Sequence, residues 1–279
     1  TLAGTLGIAM QPIRIDDPED PRLAPYRDIR ERDLVGRQGL FVAEGKVVLD
    51  VLFSAGRFRA QSALVIASRL AGMEETFAKA PREMPIYVAS PAVIDTVAGF
   101  HVHRGILAIG ERGAAEDIDA LLNRLPDRAL IVVLVGIANH DNMGSIFRNA
   151  AAFGADAVIL DGACCDPLYR KAIRVSVGAA LKVPFAIPGD AALAERLAVH
   201  GFDQFALSPR GSSDIADVQR PRRAALYLGT EGEGLPSRLL DRLQTVRIAI
   251  APGFDSLNVA AASAIALHRL ADLRDASAG

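Results

Sequence analysis

Three short segments of this chain carry side chains able to do chemistry. In Asn139-His140-Asp141-Asn142-Met143-Gly144-Ser145-Ile146-Phe147-Arg148-Asn149-Ala150, an amide, a flexible glycine and an arginine lie between two apolar runs. A guanidinium stays protonated in proteins, so Arg148 suits holding a phosphate bidentately or stabilising a developing alkoxide better than removing a proton. Asn142 can brace that arginine or the loop around it. In Gly229-Thr230-Glu231-Gly232-Glu233-Gly234, glycines permit sharp turns and let backbone amides approach a ligand closely, while Glu231 adds an acceptor. The segment is not a nucleotide-phosphate loop, because no Lys-Ser/Thr follows and Gly-x-Gly-x-x-Gly is not matched. In the third segment, Asp255-Ser256-Leu257-Asn258, Ser256 is placed to cap a helix with Asn258 in its first turn. A helix start favours negative charge, so both residues suit an oxygen anion or carboxylate.

The elements that must position these residues follow from apolar patterning. The runs Ala129–Ile137 and Asp156–Leu160 are apolar and read as buried parallel strands flanking a crossover helix. In such folds ligands gather at strand C-termini. Strands are expected near 130–137, 156–161, 183–187, 203–208, 224–229 and 245–250, with helices near 144–153, 169–181, 190–200, 236–242 and 256–273. This alternation predicts an α/β domain with a parallel sheet covered on both faces. Upstream, strands at 40–43, 63–67, 86–89 and 106–110 alternate with helices around 27–34, 46–55 and 91–97, a smaller α/β domain. Polar residues between Gly110 and Asp127 mark the boundary. We therefore expect a front domain over 1–112, a linker over 113–127 and a larger back domain over 128–279.

Composition narrows the classes. With 279 residues and 51% hydrophobic content, the chain can bury a sizeable core. No apolar run approaches the roughly 18 residues needed to span a bilayer, and Thr1–Met10 lacks a basic secretory leader, so a soluble cytoplasmic protein is expected. Cys164 and Cys165 are adjacent, which suits neither a disulfide framework nor a Cys-x-x-Cys pair. His101, His103, His140, His200 and His268 are dispersed, so no metal site is expected. A net charge of -2 argues against binding nucleic acid through bulk positive charge. Any nucleic-acid contact must be local, and the candidates are Arg22, Arg27, Arg30, Arg32 and Arg37 near the start and Arg170, Lys171, Arg174 and Lys182 later. Acids dilute the first group, whereas the stretch from Tyr169 to Lys182 contains none.

Taken together, the three segments resemble the SpoU (TrmH-like) 2'-O-ribose RNA methyltransferases of the SPOUT superfamily. Their motifs read Asn-x-Gly-x-x-x-Arg, Gly-x-Glu-Gly-x-Gly, and an Ile-Pro-Met strand followed by Ser-Leu-Asn-Val-Ser. Here these are Asn142 to Arg148, Gly229 to Gly234, and Ile248-Ala249-Ile250 with Ser256-Leu257-Asn258-Val259-Ala260. The departures are Ala249 and Ile250 for Pro and Met, Pro252 for a frequent Gly, and Ala260 for the second Ser. The resemblance covers about residues 129 to 271, and three ordered motifs are far more specific than one. It implies a C-terminal trefoil knot, with the segment around 229–260 threaded through an earlier loop, a topology that periodicity cannot show. The segment Gly39-Leu40-Phe41-Val42-Ala43-Glu44-Gly45 resembles the L30e-like RNA substrate-binding domain often fused ahead of such catalytic domains.

The activity so implied is methyl transfer from S-adenosylmethionine to a ribose 2'-hydroxyl of ribosomal or transfer RNA. Positioning two reactants in near-attack geometry can contribute roughly 7–11 kcal/mol to such a displacement. By resemblance, Gly229, Glu231, Gly232, Ile248, Ile250 and Leu257 would hold the cofactor, and Asn142, Arg148, Glu231, Ser256 and Asn258 would form the catalytic group. Arg30, Arg37, Arg170, Lys171 and Arg174 would contact RNA. Close packing of the alanine-rich last helix (Ala260, Ala261, Ala262, Ala264, Ala266) would make a homodimer through the catalytic domain. Two other classes compete: a non-catalytic RNA-binding protein, against which the retained catalytic group argues, and a nicotinamide-dependent oxidoreductase.

Overall fold

The computed structural model describes residues 11–27, 29, 34–188 and 192–271. Arg30, Arg32 and most of the helix expected over 27–34 lie outside the described residues, as does the side chain of Arg37. In chain order the elements are β1 (Ile13–Arg14), β2 (Leu40–Glu44), α1 (Lys46–Ala55), β3 (Arg59–Ile66), α2 (Glu74–Phe77), β4 (Ile86–Ala89), α3 (Pro91–Ala98), β5 (Ile106–Glu111), α4 (Ile118–Asn123), β6 (Ala129–Leu134) and α5 (His140–Ala152). There follow β7 (Ala157–Leu160), α6 (Arg170–Val175), α7 (Ala179–Lys182), β8 (Phe185–Ala186), α8 (Leu193–Val199), β9 (Asp203–Leu207), β10 (Ser213–Asp214), β11 (Arg223–Leu228), α9 (Ser237–Leu240), β12 (Gln244–Arg247) and α10 (Val259–Leu270). Two compact units result, one of residues 1–114 with 168–182, the other of 115–167 with 183–279. Among the described residues no helix is long and apolar enough to cross a membrane.

The first unit holds a five-stranded mixed sheet in the order β1-β4-β3-β5-β2. Strands β1, β4 and β3 run parallel, and β5 is antiparallel to both β3 and β2. Its core gathers Leu23, Tyr26, Leu64, Ile94, Leu107 and Ile109, and the buried Tyr26 hydroxyl finds a partner in Ser62 Oγ at 2.8 Å. Residues 168–182 also belong here, although the sequence suggests one continuous helix within the catalytic domain. The helix breaks into α6 and α7 because Val177 (φ 54) and Gly178 (φ 84) turn left-handed. At Gly178 a Cβ would meet Val51 Cβ at 3.0 Å, so close approach to α1 selects glycine there. Arg170 Nη1 lies 2.8 Å from Glu44 Oε2 and its guanidinium stacks 4.2 Å from the centre of the Phe100 ring, while Arg174 Nη1 reaches the same carboxylate at 3.6 Å. The Glu44 side chain is only 4% exposed, so these two arginines neutralise an internal acid instead of forming an open cationic face.

The second unit is the expected α/β domain with an all-parallel sheet, seven strands in the order β10-β12-β9-β11-β6-β7-β8. Every residue of the central β6 is buried, as its uninterrupted apolar run requires of a strand covered on both faces. Residues expected as linker instead contain α4, capped by Asp117 Oδ1 accepting from Ala120 N at 2.8 Å. Its Ile118, Leu121 and Leu122 join Ile131, Val133, Ile159 and Tyr227 in one core, which explains why the segment folds. On α5, Phe147 meets Phe185 edge-on at 5.8 Å, and α5 packs against α10.

Strand order holds one unusual feature. β9 and β10 are joined by only residues 208–212, yet β12, later in the chain, lies between them. The joining turn is therefore pressed onto β12. Ser208 N donates to Val246 O at 2.9 Å, Ser212 Oγ to Thr245 O at 3.1 Å, and Arg247 Nη1 to Gly211 O at 2.8 Å. A Cβ on Gly211 would fall 2.2 Å from the Val246 carbonyl carbon. Gly211→Ala must therefore push β12 and the turn apart. We expect a loss of about 1–3 kcal/mol or more, of the size overpacking costs, read as a lowered midpoint in chemical denaturation; wild-type stability in this variant would contradict the packing described.

Candidate active site

The site is assembled from two helix starts and one hairpin, all at the C-terminal ends of β6, β11 and β12. After β6, Asn139 caps α5, its Oδ1 accepting from Asp141 N at 2.8 Å and Asn142 N at 3.2 Å. The helix thus begins at His140, four residues before the expected start, and Asn142 sits in its first turn with its side chain buried. After β12, α10 begins at Val259 and its cap is Asn258, not Ser256. Asn258 Oδ1 accepts from Ala260 N at 2.9 Å and Ala261 N at 3.3 Å, so the amide nitrogen must point away from the helix. Seven residues after Asn142, on the same face of α5, Asn149 Nδ2 donates to Ala260 O at 2.8 Å and Ser263 Oγ at 2.9 Å, tying the two helices together.

Between these helix starts comes the glycine-rich hairpin that follows β11. Gly234 N donates to Thr230 O at 3.1 Å, closing the turn, and Gly232 (φ 94) and Gly234 (φ 73) adopt left-handed backbone. Gly229 is required for another reason, since a Cβ there would lie 2.3 Å from the Gly234 carbonyl carbon. The turn carries Glu231 to the two asparagines. Its Oε1 accepts from Asn142 Nδ2 at 2.7 Å and from Asn258 Nδ2 at 2.7 Å, and Asn258 Nδ2 also faces Asn142 Oδ1 at 3.1 Å. Residues 89 and 116 positions from Asn142 so meet in a single network.

A pocket of about 620 Å³ opens beside this network. Its apolar wall includes Leu207, Leu228, Leu235, Leu240, Ile248 and Ile250; its polar side includes Ser208, Arg210, Glu231, Glu233, Asp255, Ser256 and Asn258. The expected cofactor residues Gly229, Glu231, Gly232, Ile248, Ile250 and Leu257 all line it. The strand expected to reach residue 250 stops at Arg247, which releases Ile248 and Ile250 into the wall. Ser256 lines the pocket without capping α10. Asn142 reaches the pocket only through Glu231 and Asn258.

Arg148 does not join this group. At about 100° per residue, six residues rotate its side chain roughly 120° away from that of Asn142, and it is exposed outside the pocket wall. Asn142 therefore does not brace that arginine: its amide nitrogen is given to Glu231, and the chain is already helical between the two residues. Arg170 and Arg174 are committed to Glu44, and Lys171 is exposed on α6. Among the residues that sequence reasoning missed are Asn149, whose tie to α10 carries no motif signal, and Ser208, Pro209 and Arg210, which enter the wall only because β12 lies beside β9. The cysteines offer no nucleophile: burial pushes the Cys164 thiol up to about 12 and that of Cys165 up to about 11, so both stay protonated at neutral pH.

Comparison with known proteins identifies the family of the chain. Residues 129–268 match the SpoU rRNA Methylase family. An uncharacterized tRNA/rRNA methyltransferase of Mycobacterium bovis is 39% identical over 264 residues, which cover 90% of this chain and 89% of the relative. A 23S rRNA (guanosine-2'-O-)-methyltransferase of Bordetella pertussis is 33% identical over 171 residues, 60% of this chain and 69% of the relative. Among solved structures, an RNA 2'-O ribose methyltransferase superposes with a TM-score of 0.77 at 26% identity, covering 95% of this chain and all of the other. An AdoMet-bound rRNA methyltransferase from Sinorhizobium meliloti shares the fold with a TM-score of 0.78 at 23% identity, covering 94% and 97%. Half of the chain thus falls within one family and nearly all of it aligns with a methyltransferase relative, so this protein belongs to the SpoU rRNA Methylase family of RNA methyltransferases.

Proposed function

We propose that this protein transfers a methyl group from S-adenosylmethionine to a ribose 2'-hydroxyl of ribosomal or transfer RNA. The observation that carries the reading is the meeting of Asn142, Glu231 and Asn258 at the edge of a pocket shaped for a nucleoside. The chain's residues fit the donor. The leucine and isoleucine wall suits an adenine ring, and Glu231, Glu233 and Asp255 offer negative charge to a cation. When bound, S-adenosylmethionine supplies a methyl group activated by its positively charged sulfonium.

The chain's own residues orient the acceptor. Glu231 Oε1 is committed to two amide donors, and no protein group among the described residues donates to Oε2. That oxygen is left to accept the hydrogen bond of the ribose hydroxyl and so aim its lone pair. Asn142 and Asn258 keep the carboxylate from rotating. The exposed Arg148 holds a phosphate of the RNA, and its outward direction suits a substrate approaching from solvent. The helix pair α5 and α10 forms the contact between two copies of the chain, a reading supported by the small residues of α10 and by the exposed Ile265 on it. The C-terminal segment is threaded as a trefoil knot, which the placement of β12 between two strands joined by five residues supports. The front unit, an L30e-like fold, engages the RNA substrate.

Methyl incorporation into RNA from a labelled donor, followed by digestion to nucleosides, tests the reaction. The label should appear as 2'-O-methyl nucleoside, and label confined to bases would overturn the ribose assignment. Glu231→Gln keeps an acceptor but loses charge; it should retain the fold and lower transfer at least about a hundredfold, the cost of a misplaced reacting group. Arg148→Ala should leave donor affinity within about twofold while abolishing transfer; normal turnover in this variant would remove Arg148 from the mechanism.

A further inference from the structure

The turn that crosses β12 carries a side chain that the reaction described so far does not use. Ser208 O accepts from Gly211 N at 3.0 Å, which makes residues 208–211 a tight turn with Pro209 and Arg210 at its corners. Proline suits the first corner because its ring presets the backbone angle. Arg210 N also approaches Ser208 Oγ at 3.4 Å. On its outer side the turn is bolted to β12 through Ser208, Gly211 and Ser212, as described above. Arg210 is thereby held at a defined point on the pocket rim, even though its side chain is exposed.

Charge makes that point distinctive. Arg210 is the sole cation among the residues lining the pocket, which also include Glu231, Glu233 and Asp255. Among the described residues its guanidinium has no carboxylate partner, whereas Arg170, Arg196 and Arg242 each have one. Three acids and one lone base form a complement to a ligand that carries positive charge together with one negative group. An RNA phosphate would meet three carboxylates in the same space, which disfavours it. An amino-acid end, with an ammonium and a carboxylate on one carbon, satisfies both signs.

We propose that Arg210 binds the α-carboxylate of the methyl donor's amino-acid end, so that the turn between β9 and β10 forms the methionine subsite of the pocket. The inference rests on the donor assigned above. It gives the turn a second consequence: because β12 fixes the turn and also leads into Ile248, the carboxylate end and the adenosine end of the ligand are gauged by one strand. A guanidinium offers two parallel N–H groups to a carboxylate, so the contact selects against ligands without one.

Calorimetric titration of the full chain with S-adenosylhomocysteine and with 5'-methylthioadenosine separates the alternatives. The two compounds share adenosine and a thioether, but only the first has the amino-acid end. Arg210→Ala should weaken S-adenosylhomocysteine by about tenfold or more, as expected for loss of a hydrogen-bonded charge, and leave 5'-methylthioadenosine within about twofold. Arg210→Lys should recover part of the loss, because a point charge remains but the paired geometry does not. Equal weakening of both compounds, or unchanged S-adenosylhomocysteine affinity with a raised KM for RNA, overturns the assignment and leaves the donor reading intact. Wild-type protein that binds neither compound overturns the donor reading and this inference together.

Discussion

The pocket depends on one side-chain amide whose two ends are used in opposite ways. Asn258 Oδ1 closes the first turn of α10, so its nitrogen has nowhere to point except toward Glu231 and Asn142. Capping of this kind stabilises a helix by about 1 kcal/mol. The more consequential effect is directional: the helix start determines which way the amide faces, and the amide determines where the carboxylate sits. Aspartate at this position could cap equally well but would set a second negative charge against Glu231. Serine could cap without reaching the carboxylate. Only a residue with an acceptor and a donor on one planar group joins the helix to the hairpin.

That arrangement works because the surrounding backbone has little freedom. Gly229 and Gly211 each accept another stretch of main chain at a separation that forbids a Cβ. The first sets the hairpin bearing Glu231 against its own return, and the second seats β12 beneath the turn from β9. Both contacts lie at the ends of parallel strands, where loops converge and a ligand can be met from several sides at once. The asparagine tie from Asn149 to Ala260 O and Ser263 Oγ then holds α5 against the start of α10. Three separate chain segments are thereby located to within hydrogen-bond tolerance before any ligand arrives, which is the preorganisation that positioning catalysis needs.

How much of this could be read in advance depends on the range of the interaction. Local signals were legible: α1 spans Lys46–Ala55 and β4 spans Ile86–Ala89, both as apolar periodicity suggests, and the six principal strands of the second unit fall where expected. Boundaries failed where a cap or a turn overrode periodicity. Asn139 moved the start of α5, Asn258 took the capping role from Ser256, and Gly178 broke a helix because α1 lies against it. The pocket-lining residues that match a motif were visible from their types. Ser208, Pro209 and Arg210 were not, because their place follows from the order of strands in the sheet, which no local pattern encodes. The ion pair of Arg170 was hidden for a related reason: its partner Glu44 lies 126 positions away.

The same geometry separates two electrostatic tasks. The charged residues of the pocket are acidic apart from Arg210, in keeping with a chain whose net charge is -2, and disfavour the polyanion that is the proposed substrate. That charge disfavours entry of an RNA backbone, and the proposed reaction needs only a single ribose at the pocket edge, beside Glu231. Phosphate contacts must come from arginines that point elsewhere, and Arg148, rotated about a third of a turn from the network on the same helix, has that direction. One helix thus offers its buried face to the Glu231 carboxylate and its exposed face, with Arg148, to solvent, which is the separation the proposed reaction needs. The helix between Asn142 and Arg148 keeps these two side chains at a constant separation, since neither can move without the other, and the proposed substrate would be gauged by that spacing.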